Sequence, residues 1–194
     1  MKSINQFFAC SILLLIVLGC RIGESSVAAA VELKADTLLK PLRVNDTVTI
    51  CAVGDIMLGS AYPLSSNLPP KDGINSFKHV APFLKGDVIF GNLEGCFLNS
   101  GKSTKCKDTT GNSCFAFRMP ERYAGIIKNA GFNLLSIANN HVGDFGARGR
   151  KRTVEILDSL NIKYAGLQSH PSSFFEKDSI KYAFCAFSPN ENTV

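Results

Sequence analysis

No tryptophan occurs in this chain of 194 residues, and histidine occurs three times, as His79, His141 and His170. The missing tryptophan, set beside 14 phenylalanines, is unusual but excludes nothing by itself. Other absences exclude more. No Cys-x-x-Cys pair is present and no histidine lies near the central cysteines, which argues against a zinc knuckle. The formal charge of +5 is modest and spread along the chain. Its densest cluster, Arg148, Arg150, Lys151 and Arg152, has no aromatic platform or recognition motif beside it. It reads as the solvated face of a helix, with no nucleic acid as partner. There is no internal repeat. Apart from the N-terminus no apolar run approaches the roughly 20 residues of a membrane-spanning helix. What remains, at 45% hydrophobic, is ordinary for one globular domain.

The N-terminus carries an address. Lys2 gives a positive start, and Phe7 to Leu18 is apolar apart from Ser11. That stretch is short for a span but suits the apolar region of a signal peptide. Its ending, Val17-Leu18-Gly19-Cys20, resembles a bacterial lipobox, in which the cysteine becomes the lipidated first residue of the mature protein. The alternatives are an ordinary secretory signal cleaved near Ala28-Ala29-Ala30 and an uncleaved anchor. All three place the domain outside the cytoplasm, and the first makes it a membrane-anchored lipoprotein. Removing residues 1–19 takes away Lys2 and leaves a formal charge of +4.

In an oxidising compartment the cysteines then sort themselves. Cys10 leaves with the signal and Cys20 carries lipid. Cys51 and Cys185 lie in apolar, strand-like runs and are expected to be buried thiols. Cys96, Cys106 and Cys114 lie in a polar insert, where Cys106 with Cys114 is the most plausible disulfide and one thiol stays unpaired.

Three regions follow: a signal peptide over 1–20, a tether over 21–45 with a short amphipathic piece from Val31 to Leu39, and a domain over 46–194. Within the domain, strands are expected at Thr47–Val53, Asp87–Phe90, Asn133–Ile137, Ile162–Ala165 and Ile180–Phe187, with a short extended segment at Phe115–Arg118. Helices are expected at Phe77–Leu84, at Pro120–Ala130, where proline suits the first turn and Gly131 the stop, and over Thr153–Leu160. Strand and helix alternate, which argues for an α/β fold with a largely parallel sheet.

Three segments carry chemistry: Gly54-Asp55-Ile56-Met57-Leu58-Gly59, Gly91-Asn92-Leu93-Glu94-Gly95 and Ala138-Asn139-Asn140-His141. Each follows an apolar run and sets polar side chains beside small residues. That pattern leaves donors at the carboxyl ends of parallel strands, where open α/β sheets bind ligands. Asp55 and Glu94 offer carboxylates, Asn92 and Asn140 amide oxygens, and His141 an imidazole. Oxygen donors with one imidazole suit a divalent metal ion, whose identity the residues do not specify. His141 serves either as ligand or as proton donor to a leaving group. Taken singly, each has a plainer role as a helix cap or turn residue. Asp144 is the weakest member and is expected to cap a loop. His79 and His170 lie outside the pattern.

Together with the run from Phe117 to Gly146 and its Ala130-Gly131-Phe132-Asn133 turn, these motifs resemble the CapA family of bacterial capsule (poly-γ-glutamate) biosynthesis proteins over about Val48 to Phe187. The resemblance implies a calcineurin-like metallophosphatase fold, a layered α/β sandwich, and an extracytoplasmic, membrane-anchored setting. By position it implies that Asp55 is the first metal-binding aspartate and that Asn92-Leu93-Glu94 stands where a bridging aspartate would. Asn140 and His141 fall at the Asn-His pair, ligand and proton donor. Two departures stand out. Met57 occupies a position where metallophosphatases usually carry histidine, and the family's later His-Trp-Gly and histidine-rich segments have no counterpart here. The chain is therefore expected to correspond to an N-terminal half. Three roles stay open: a metal-dependent hydrolase or transferase, a non-enzymatic accessory subunit that binds a polyanionic capsule polymer or a membrane synthase, and an inactive truncated fragment.

Overall fold

The computed structural model describes residues 47–106 and 114–194. The signal peptide with Cys20 and the tether over 21–45 lie outside the described residues. Eight strands and two helices follow in order: β1 (Ile50–Ile56), β2 (Val88–Leu93), β3 (Cys96–Phe97), β4 (Arg118–Met119), α1 (Tyr123–Asn129), β5 (Leu134–Ser136), α2 (Gly146–Ser159), β6 (Lys163–Ala165), β7 (Ser172–Lys177) and β8 (Ile180–Cys185). Among the described residues no helix is long and apolar enough to cross a membrane.

The centre is a four-stranded sheet in the order β1-β2-β5-β6, with every neighbouring pair parallel. Its core joins Ile89, Leu93, Leu135 and Ile137 from the sheet region to Tyr123 and Ile127 of α1 and Ile156 and Leu157 of α2. Leu93, Ile127, Leu135 and Leu157 have no exposure at all, and burial of such side chains contributes roughly 1.5–3 kcal/mol each. The buried positions of α2 are Gly149, Thr153, Ile156 and Leu157, one stripe at helical spacing. Gly149 is required there because a Cβ would meet Cys96 Sγ at 3.1 Å, so α2 rides close on β3. The basic residues of α2 face outward, where Arg152 pairs with Glu121 at 2.8 Å and Glu155 at 3.1 Å.

Several elements differ from the sequence reading. The helix expected at Phe77–Leu84 is a series of turns ending in a 3-10 turn at Ala81–Phe83, because Pro82 follows too soon for an α-helix to establish. Helix α2 starts seven residues before Thr153. Strand β7 had no expected counterpart, and it forms an antiparallel hairpin with β8. Cys51 is half-buried and Cys185 exposed, where buried thiols were expected. The reason is position: β1 is the sheet's edge, with Ile50 62% exposed, and residues of the hairpin alternate without a second cover.

Strand β1 also runs on through Asp55 instead of ending before it. Its register against β2 pairs Ala52 with Phe90 but Asp55 with Asn92, so β1 carries one surplus residue across this step. That irregularity sets Asp55 directly beside Asn92.

Candidate metal centre

At the carboxyl ends of β1, β2 and β5 the three motifs meet. Asn92 on β2 donates its Nδ2 amide to Asp55 Oδ1 and to Glu94 Oε2, both at 2.8 Å. The two carboxylates therefore share one amide and cannot lie further apart than those two contacts together allow. His141 follows β5 in a turn, and its Nε2 stands 3.8 Å from Glu94 Oε1. Glu94 is thus flanked by His141 on one side and, through the shared Asn92 amide, by Asp55 on the other. Among the described residues no three His, Cys, Asp or Glu side chains already stand close enough to cage an ion.

The amide orientations are fixed from below. Asn139 is 7% exposed; its Oδ1 accepts from the backbone N–H groups of His141 (3.0 Å) and Val142 (2.9 Å). Its Nδ2 is thereby turned toward β2, where it donates to Leu93 O at 2.8 Å and Asn92 Oδ1 at 3.1 Å. With Asn92 Oδ1 so engaged, its Nδ2 must face the carboxylates. Asn92 is therefore held as a donor to Asp55 and Glu94, with the oxygen expected to meet a metal turned toward Asn139. A second reassignment concerns Asn140. It is exposed, and it meets the site through its backbone carbonyl, which accepts from Lys105 Nζ at 3.4 Å. The buried amide of this motif belongs to Asn139.

Asp144, expected to cap a loop, is instead built into the site. It is 1% exposed, and its Oδ2 lies 2.7 Å from His141 Nδ1 and accepts from Phe117 N at 2.8 Å. Asp144 Oδ2 is thus the partner of His141 Nδ1, and Nε2 faces Glu94. Among the described residues Asp144 Oδ1 has no hydrogen-bond partner, and the Lys105 ammonium stands 3.3 Å from it. Phe117 stacks on the imidazole with centroids 4.0 Å apart. Sequence reasoning missed Asn139, Lys105 and Phe117 as site residues. A cavity of about 480 Å³ opens beside them, lined in part by Lys105, Asn139, Asn140, Asp144 and Arg150.

The remaining candidates lie elsewhere. Met57 turns back on its own chain, where its sulfur accepts from Gly59 N at 3.1 Å. His79 is exposed, and His170 contacts Ser169 and the Tyr164 ring. Cys106 and Cys114 are joined by a disulfide, and Cys96 is a buried free thiol whose pKa burial pushes up to about 12, with the charge of Asp144 adding to the effect.

Comparison with known proteins bears on this architecture. The family described as bacterial capsule synthesis protein PGA_cap matches residues 49–193, about three quarters of the chain. The chain belongs to that family. Its layered α/β fold with a parallel central sheet is the family's metallophosphatase-like arrangement. The chain is 34% identical over 125 residues to the capsule biosynthesis protein CapA of Bacillus anthracis, a match covering 64% of this chain and 29% of that protein. It is 28% identical over 134 residues to the PGA biosynthesis protein CapA of Bacillus subtilis (strain 168), covering 69% of this chain and 33% of that one. An uncharacterized protein, y4uA, of Sinorhizobium fredii is 30% identical over 125 residues, 64% of this chain and 25% of its own length. These alignments span a quarter to a third of the relatives' lengths.

Proposed function

We propose that the chain acts outside the cytoplasm, anchored by lipid on Cys20, as a CapA-like component of capsule or poly-γ-glutamate biosynthesis, with a divalent cation held between Asp55, Glu94 and His141. The observation that carries the metal reading is the single Asn92 amide that gathers two carboxylates in front of His141 Nε2. The donor set fits: two hard carboxylates, one imidazole with a bare nitrogen, and an outer carboxylate on the other ring nitrogen. Asp55 is exposed and held, among the described residues, by that one side-chain bond, so it has freedom to adjust to an ion.

The chemistry such a cation supplies is Lewis-acid polarisation of a phosphoryl or acyl oxygen. The chain's own residues prepare the rest. Asp144 holds the imidazole through Nδ1, which leaves Nε2 on the Glu94 side for the cation. Asn92, itself held by Asn139, keeps Glu94 and Asp55 side by side without a cation.

Metal analysis of the purified chain after incubation with Mn²⁺, Mg²⁺ or Zn²⁺ tests this. Stoichiometric metal in the wild type, lost in Asp55→Ala and His141→Ala, supports the cation site. Binding of poly-γ-glutamate that ignores both substitutions and added chelator, in a protein that takes up no metal, transfers the chain to the accessory, polymer-binding role. Membrane fractionation of Cys20→Ala tests the anchor: the variant is expected to leave the membrane fraction.

A further inference from the structure

The polar insert between β3 and β4 reads in sequence as a stapled surface loop, yet both of its described ends grip His141 and Asp144. From one end, Ser103 Oγ and Thr104 N donate to Asp144 O at 2.9 Å each, and Lys105 Nζ reaches Asp144 Oδ1 at 3.3 Å and lies 3.4 Å from His141 Nδ1. From the other end, Phe117 N donates to Asp144 Oδ2 at 2.8 Å while its ring covers a face of the imidazole. The Cys106–Cys114 disulfide ties these two ends together. Cys106 is the residue after Lys105, and it packs with Cys96, Leu98, Ala116 and Phe145 in a small apolar cluster that seats the tie.

We infer that the two described ends of the insert form a disulfide-closed clamp on His141, with Lys105 and Phe117 as positioning residues that fix the plane of the imidazole. The physical need is plain. An imidazole held by Asp144 alone has one hydrogen bond, about which it can rock; a stacked ring removes that freedom. The Lys105 ammonium holds Asp144 in place. Cross-linking the two ends restricts how far Lys105 and Phe117 can part, so the grip depends on the oxidation state of Cys106–Cys114. Reduction adds two electrons and two protons to the S–S bond and gives two thiols. With a trialkylphosphine as reductant, the phosphine takes the oxygen of water and becomes its oxide.

The clamp's consequence for cation affinity rests on the proposed metal site; its effect on ring orientation does not. The test uses the metal-free full chain with ¹⁵N-labelled histidine, read by long-range ¹H–¹⁵N correlation at one fixed pH, with His141→Gln identifying the signal. The oxidised protein is expected to show His141 ring protons shifted by the stacked Phe117 ring. Phosphine treatment, the double variant Cys106→Ser/Cys114→Ser, Lys105→Met and Phe117→Leu are each expected to move the His141 resonances and leave those of His79 and His170 in place. Lys105→Arg and Phe117→Tyr are expected to retain them. Mn²⁺ affinity measured by calorimetry is expected to fall about 10-fold or more in the reduced protein, the usual effect of losing an outer partner of a histidine ligand. His141 resonances that ignore reduction and all substitutions overturn the clamp. So does a collapse that shifts all three histidines together, since the clamp predicts a local effect. A wild-type chain that takes up no Mn²⁺ while His141 still responds to reduction defeats the metal site and leaves the clamp standing.

Discussion

Replacing Asn139 by alanine is the sharpest probe of how the three motifs are held together. The side chain is 7% exposed and makes four hydrogen bonds, to His141 N, Val142 N, Leu93 O and Asn92 Oδ1. Truncation leaves two backbone donors, one backbone carbonyl and one amide oxygen without these partners. Each buried polar group so abandoned costs about 1–3 kcal/mol, but water entering from the crevice relieves the outermost, Asn92 Oδ1. Non-additivity within one network lowers the sum further, and a net loss of about 3 kcal/mol is expected. For a domain of this size that lowers Tm by roughly 6–12 °C. Asn140→Ala is the matched control: the neighbouring, exposed side chain should cost under about 0.5 kcal/mol. Urea unfolding followed by circular dichroism measures both. Equal losses in the two variants, or a larger loss in Asn140→Ala, would refute the assignment of Asn139 as the pivot.

Iodoacetamide on the native protein at pH 8, followed by peptide mass spectrometry, should label exposed Cys185 and spare Cys96, which is buried and whose pKa of about 12 leaves almost no thiolate. Gly166 has φ +130°, and a Cβ there would stand 2.5 Å from Ala138 N, so Gly166→Ala should cost about 3 kcal/mol by denaturant unfolding; a loss below 1 kcal/mol would contradict that close approach. Lys177 and then the Thr49 N–H hold the Asp87 carboxyl below its ordinary range. Its contribution to docking the hairpin is therefore full above that range and lost as pH falls through the depressed value. Tm should drop more between pH 7 and pH 3 in wild type than in Asp87→Asn, and equal drops would remove Asp87 from the account.

Two of the strands that carry the motifs, β2 and β5, were readable because a buried parallel strand is a short apolar run. Strand β7 was not, since Ser172-Ser173-Phe174-Phe175-Glu176-Lys177 pairs only with its neighbour and needs no apolar face. The early start of α2 was hidden because Gly146 to Arg152 contributes a single packed position, a glycine, whose role is visible only beside Cys96. Between Asn139 and Asn140 the sequence could not choose. The pair lies in a turn after β5, where neither strand alternation nor helical period tells which side chain points inward. Lys105 and Phe117 were beyond reach for another reason: their contacts with His141 span 36 and 24 positions, and nothing local marks them.

The extra residue in β1 has a further meaning. Side chains along a strand alternate between faces, so a count that is off by one exchanges inside for outside. Between Ala52 and Asp55 the chain spends three steps while β2 spends two, and this odd step brings a carboxylate to the crevice rimmed by Asn92. In an unbroken ladder over the same residues Gly54 would stand opposite Asn92 and Asp55 would fall on the other face, so the surplus step is what delivers the donor. At this edge the spelling of the strand matters less than the single step it takes out of rhythm.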